Sequence, residues 1–388
     1  MTTASTPHLA ERRAIGPALA ASLILAIGMG FGRFAFTGLY PVMVGDGFLT
    51  VHGGTLAASA NYAGYLLGAL LISHAKPAQA RSLCIWSTAG SILCMALLGV
   101  LHAAAVIIAV RGLAGICSAV SMVAASLWLL QHMGHGHGAP ILYAGVGVGI
   151  VLSAELIALG HHAGLASPAL WIVLALASLV LALAASPALG LQPEPAPASD
   201  ARAEARVAGR GTPLAQALRL IAIYGLAGFG YIVTATYLPL FIKGALGPVD
   251  PIHVWAVFGF GAVPSCFFWH WLQVRAGTRR SLTLNLVVQG VGVVLPVFSQ
   301  SAAAYLLSAF LVGGTFVGTV TIAMPAARRV AHAVRFSMLA VMTAVYGVGQ
   351  IIGPLVANAI LASTQSFTGS LLTAGGALIV AAVLSAGL

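Results

Sequence analysis

The stretch Gly30-Phe31-Gly32-Arg33-Phe34-Ala35-Phe36-Thr37-Gly38-Leu39-Tyr40-Pro41 decides how this chain is read, because it sets an arginine deep in an apolar run and recurs near mid-chain. The recurrence, 198 positions on, is Gly228-Phe229-Gly230-Tyr231-Ile232-Val233-Thr234-Ala235-Thr236-Tyr237-Leu238-Pro239. Both copies open on Gly-Phe-Gly and close on proline, and Tyr231 stands where the first copy has Arg33. An internal echo of this kind marks a duplicated protein.

The surrounding composition is that of a membrane protein. Over 388 residues the mean hydropathy is +1.02, 60% of residues are hydrophobic and only 6% are charged, against about 25% charged in soluble domains. The apolar runs are continuous, whereas barrel strands alternate apolar and polar residues. A helical span needs about 20 apolar residues, and breaks at Pro, Gly, His and basic clusters divide the chain into twelve such spans. They fall at roughly 16–41, 54–73, 82–101, 103–130, 140–160, 168–188, 214–243, 252–272, 281–299, 301–327, 335–362 and 368–388. The Pro-, Ala- and charge-rich stretch from Gln192 to Pro213 cannot bury a core and reads as a flexible cytoplasmic linker. The expected architecture is all-α, twelve transmembrane helices in two six-helix pseudo-repeats: residues 1–190, a linker at 191–213, and residues 214–388. No removable signal peptide is expected ahead of the first span.

The net charge of +10 is a topology signal rather than a nucleic-acid footprint. Fourteen of the 17 basic residues fall in or beside the terminus and loops that alternate onto one face; Lys243 alone is opposite, and Arg33 and Arg111 lie within spans. By the positive-inside rule both termini are cytoplasmic, in a multi-pass inner-membrane protein. The four cysteines lie within spans without a CxxC pair and read as small buried hydrophobes. Gly-Phe-Gly follows no strand, so it is no dinucleotide fingerprint, and no Walker loop is present. No cofactor, metal or catalytic nucleophile is expected.

Several motifs carry a family resemblance: Gly30-Phe-Gly-Arg-Phe-Ala-Phe36, Asn61-Tyr-Ala-Gly-Tyr65, Tyr143-Ala-Gly-Val-Gly-Val-Gly-Ile150, Gly230-Tyr-Ile-Val-Thr-Ala-Thr-Tyr-Leu-Pro239 and Met342-Thr-Ala-Val-Tyr-Gly-Val-Gly-Gln-Ile-Ile-Gly-Pro354. With them the chain resembles the YbfB/YjiJ branch of the major facilitator superfamily. The resemblance implies a secondary transporter whose halves are parallel repeats around a midplane cavity, and it supplies no substrate. The superfamily's acidic signature after the second span is missing, since Gly68 to Lys76 holds no aspartate.

Ionisable residues within spans are functional candidates by default, and three are present: Arg33, Arg111 and Glu155. All three fall at similar depth in the outer third of the spans. An arginine stays protonated, whereas a desolvated glutamate takes up and releases a proton. The expectation is that Arg33 or Arg111 binds a substrate carboxylate by a two-point bond, while Glu155 alternates between carrying a proton and pairing with the free arginine. A permanent ion pair of Glu155 with either arginine is the structural alternative. Asn61, Tyr62, Tyr65, Tyr231, Thr234 and Gln350 would complete the pocket with hydrogen bonds, or else join helices to one another.

Two fixed cations against one acid favour a small organic anion, monocarboxylate-like, moved with protons by alternating access through a monomer. The runner-up is a proton-coupled exporter of drugs or hydrophobic metabolites. From another class comes a membrane-embedded metal sensor or enzyme using His132, His135 and His137 of the loop between the fourth and fifth spans.

Overall fold

The computed structural model describes residues 7–191, 213–242, 250–331, 334–335 and 338–388. The expected linker, apart from its two ends, and Lys243 lie outside these residues. All regular structure among the described residues is helical: α1 (Pro7–Leu25), a π-helical segment (Ala26–Phe34), α2 (Ala35–Gly45), α3 (Val51–Leu71), α4 (Ala80–Val100), α5 (Ala104–Leu127), α6 (Ala139–His162), α7 (Ser167–Leu189), α8 (Pro213–Phe241), α9 (Ile252–Phe298), α10 (Ala302–Val330), α11 (Met338–Thr364) and α12 (Thr368–Ser385). Short π and 3-10 turns follow α5 and flank the loops beside α4 and α6.

Among the described residues, ten helical stretches are long and apolar enough to cross a bilayer. Two departures from the expected twelve have physical causes. Helix α3 falls outside the ten because His52, Thr55, Ser59, Asn61, Tyr62 and Tyr65 dilute its hydropathy. The expected spans 252–272 and 281–299 form one 47-residue stretch, broken only at Gly277, where φ is 79° and ψ 167°. At 1.5 Å per residue that stretch is about 70 Å long, over twice the hydrocarbon thickness. The break at Gly277 lets the chain reverse without a loop, in a conformation that glycine adopts at no steric cost.

The π segment between α1 and α2 keeps Ile15–Gly45 continuous as one span. Its residues are buried throughout, and it passes other helices at backbone distance. A methyl on Gly30 would lie 2.4 Å from the backbone of Gly149 in α6, so only glycine permits this approach. Packing then joins α3 to α5, α4 to α5 and α7, α9 to α10 and α12, and α8 to α11 and α12. Helices from before and after the linker meet as α6 on α9 and α3 on α11. Large apolar side chains such as Trp86, Val274 and Phe298 face outward, as a bilayer requires.

Candidate substrate site

Arg33 sits at the end of the π segment, 3% exposed. Its Nη2 donates to Gln350 Oε1 on α11 at 2.9 Å, and Gln350 Nε2 donates to the Tyr231 hydroxyl on α8 at 2.5 Å. One amide therefore holds both Arg33 and the tyrosine that replaces it in the repeat. Arg33 Nε and Nη1 are buried and have no hydrogen-bond partner. Gln350 accepts from one of the two Nη2 hydrogens. Whichever it is, the other pairs with the hydrogen on Nε or on Nη1 to leave an intact two-point fork for a carboxylate.

The guanidinium is stacked rather than salt-bridged. Its Cζ lies 4.0 Å from the centre of the Tyr65 ring, 5.1 Å from Tyr62 and 5.3 Å from Phe34. A planar cation on an aromatic face gains about 0.5–2 kcal/mol and keeps its in-plane N–H edge free. A run of near-parallel rings flanks it: Tyr224 and Tyr346 at 4.4 Å, Tyr346 and Tyr231 at 5.8 Å, Tyr231 and Phe316 at 5.5 Å. No described carboxylate side chain is buried. Asp46 is exposed and accepts from Ser167 N, and Asp250 caps Ile252 N at the start of α9.

Arg111, 1% exposed, spends its donors differently. Nη1 donates to Gly32 O at 2.9 Å and Nη2 to Arg33 O at 3.0 Å, with Cζ 4.4 Å from the Phe36 ring centre. Trp255 Nε1, from α9, donates to Phe34 O at 3.0 Å. Three successive carbonyls at the π-to-α junction are thus held by side chains from α5 and α9. Asn61 Nδ2 donates to Arg111 O, so this asparagine is turned to the α5 backbone. Arg111 clamps the backbone that presents Arg33.

Glu155 does not join either arginine, so the permanent ion pair that stood as the structural alternative is not formed. Its Oε1 lies 3.0 Å from His253 Nδ1 at the start of α9, and both side chains are about two-fifths exposed (41% and 43%). Residue counts along the spans set Glu155 level with the arginines and leave open which face of α6 it occupies. Of the hydroxyl-bearing candidates, Tyr62 bonds Thr236 at 3.0 Å, while Thr234 Oγ1 is buried without a partner. Thr37 Oγ1 donates to Ala235 O at 2.6 Å. Tyr237 OH bonds Thr55 Oγ1 at 2.7 Å and donates to Pro354 O at 2.9 Å. The structure thus gathers Arg33, Tyr62, Tyr65, Tyr231 and Gln350, and leaves Glu155 at a separate contact. Trp255, His253, Phe316 and Tyr346 escaped the sequence reading, since nothing local distinguishes them from packing residues. Among the described residues no group of histidines, cysteines and carboxylates could hold a metal ion.

A bundle of long apolar helices with a buried cation at the meeting of four of its segments is a multi-pass membrane protein. The family model described as Uncharacterised MFS-type transporter YbfB matches residues 25–386, and the chain belongs to that family of the major facilitator superfamily. No curated protein matches the chain.

Proposed function

We propose that the protein is a secondary active transporter of a small organic anion, monocarboxylate-like, working by proton-coupled alternating access in the inner membrane. Its twelve spans form two six-helix repeats, residues 1–190 and 214–388, joined by a cytoplasmic linker, with both termini cytoplasmic. Splitting α9 at Gly277, counting α1 to α2 as one span and taking α3 as a span supports this count. The meeting of Thr37 with Ala235, its counterpart in the echo, supports a pseudo-two-fold axis between the repeats. So does the paired contact of α6 with α9 and α3 with α11.

The observation that carries the function is Arg33: a buried cation with a free two-point edge and, among the described residues, no buried carboxylate beside it. A buried unpaired charge costs several kcal/mol, and a substrate carboxylate supplies the missing counter-charge. Tyr231 and Gln350 orient it, Tyr62 and Tyr65 fix the guanidinium, and Thr234 offers a hydroxyl nearby. Arg111 is a positioning residue. Glu155 carries the proton at its contact with His253. A cationic substrate is disfavoured by the same absence of a buried acid.

Cross-repeat bonds of Thr55 with Tyr237 and Glu155 with His253 lie toward the end where α3 and α9 begin, while Tyr62 bonds Thr236 from midway along α3. In the proposed topology that end is the outer side, so the conformation is closed outward. The test is flux of small carboxylates into proteoliposomes under an imposed pH gradient: uptake that follows the gradient supports the reading, and its absence across a broad carboxylate panel overturns it.

A further inference from the structure

On the outside of the bundle, the part of α9 beyond Gly277 runs antiparallel to α12. Thr283 Oγ1 meets Ser385 Oγ at 2.7 Å at one end, and Gly375 faces Val294 at the other. Between the two helices lies an apolar groove of about 380 Å³, walled by Leu286, Val287, Val291, Val294, Ile379 and Val383. A second groove of about 380 Å³ continues it, sharing Thr283, Val287 and Ala386 and adding Arg279 and Arg280. Each volume is within the range of small-molecule sites, roughly 300–1,000 Å³.

Three features define the occupant. The apolar part runs from Thr283 to Val294, about 16 Å of helix, which is close to half of the roughly 30 Å hydrocarbon core. Its depth comes from Gly290, which is buried and where a methyl would meet only Leu378 Cβ, at 3.6 Å. Its mouth is cationic. Arg279 and Arg280 are exposed there, Arg219 of α8 donates to Gly387 O, and Arg329 of α10 donates to Thr278 Oγ1. No described carboxylate is bonded at this end; Asp46, Glu155 and Asp250 take their partners elsewhere. A second copy of the chain docked here would set like charges against each other.

We infer that this groove binds an anionic phospholipid, its phosphate between Arg279 and Arg280 and one acyl chain laid over Gly290 toward Val294. The site is separate from Arg33 and does not depend on the identity of the transported substrate. An arginine near the membrane surface contributes about 1 kcal/mol toward anionic lipid, a factor of about five, so the pair supplies a preference of about 25-fold.

The test is lipid binding to the purified full-length protein in detergent, read by native mass spectrometry and by thermal unfolding. The probes are phosphatidylglycerol, phosphatidylcholine of the same chains, and inorganic phosphate. Phosphatidylglycerol is expected to bind about 25-fold more tightly than phosphatidylcholine and to raise the unfolding temperature, with no effect of inorganic phosphate alone. Arg279→Ala with Arg280→Ala removes the preference. Gly290→Leu, which fills the groove, weakens both lipids and leaves the arginines in place. Equal binding of the two lipids, an unchanged preference in the double variant, full affinity in Gly290→Leu, or an equal shift from inorganic phosphate each overturns the proposal. Should the double variant not fold, Arg280→Gln alone and Gly290→Leu decide the same question.

Discussion

Thr37 donates a hydrogen bond to the carbonyl of Ala235, 198 residues away, and Ala235 is the residue that aligns with Thr37 when the two Gly-Phe-Gly stretches are superposed. Counterparts of a parallel duplication touch each other only where they face the axis that relates them. In the proposed topology this contact puts the first and seventh spans beside that axis; Arg33 and Tyr231, one turn earlier in each stretch, share Gln350.

Gln350→Glu should supply the counter-charge that the site lacks. The new carboxylate would pair with Arg33 at the position of Oε1, raising the unfolding temperature of the ligand-free protein. Binding of an external carboxylate should fall at least about tenfold, because the fork is then engaged from within. Titration of wild type and Gln350→Glu with the same carboxylate checks this; a substrate affinity equal to wild type would show that the anion binds elsewhere.

Arg111→Met should act on stability before function. It removes two charge-assisted bonds to the carbonyls of Gly32 and Arg33, each worth about 1.5–3 kcal/mol when buried and nearer 0.6 by the averages for membrane bundles. A fall in unfolding temperature without any ligand is expected, with partial recovery in Arg111→Lys. An unchanged unfolding temperature would return Arg111 to the list of direct substrate ligands.

Gly30→Ala should be poorly tolerated, since the added methyl meets the Gly149 backbone, which no side-chain rotation relieves. Overpacking of this kind costs about 1–3 kcal/mol or more. Gly290→Ala has room by comparison. Yield and unfolding temperature of the two variants, measured side by side, test the contrast.

Glu155→Gln should leave carboxylate binding within about twofold of wild type and abolish the pH dependence of flux. The pair with His253 is half-exposed, so its loss costs little stability, about 0.2–1 kcal/mol. An imidazole pairs as an ion only when protonated, so His253→Gln should alter the pH dependence in the same assay. Flux that still follows pH in Glu155→Gln would assign proton coupling to another group.

How far the sequence is legible follows from range. Membrane class, helical spans, the echo and the buried arginines all show in composition and periodicity, because bilayer insertion is dictated residue by residue. The π segment does not show, although Gly28, Gly30 and Gly32 mark a place where helices approach closely; i→i+5 bonding depends on neighbours that only the fold assembles. The partners of Arg33 and Glu155 are equally tertiary. Gln350 is 317 residues from Arg33, and His253 is 98 from Glu155. Residue counts give an expected depth along a span, while the face each side chain takes is set by packing. That is why Arg111 and Glu155, level with Arg33 by counting, turn to a backbone and to a histidine.

The most direct measurement is thermal stabilisation of the purified protein by a panel of small carboxylates, in wild type and in Arg33→Gln, since a ligand that binds only the folded state raises its apparent stability. The account predicts a carboxylate that stabilises the wild type and binds Arg33→Gln about 10- to 100-fold more weakly, the loss of a charge-assisted fork. A carboxylate that stabilises both proteins equally would contradict the assignment of Arg33 as the anion site.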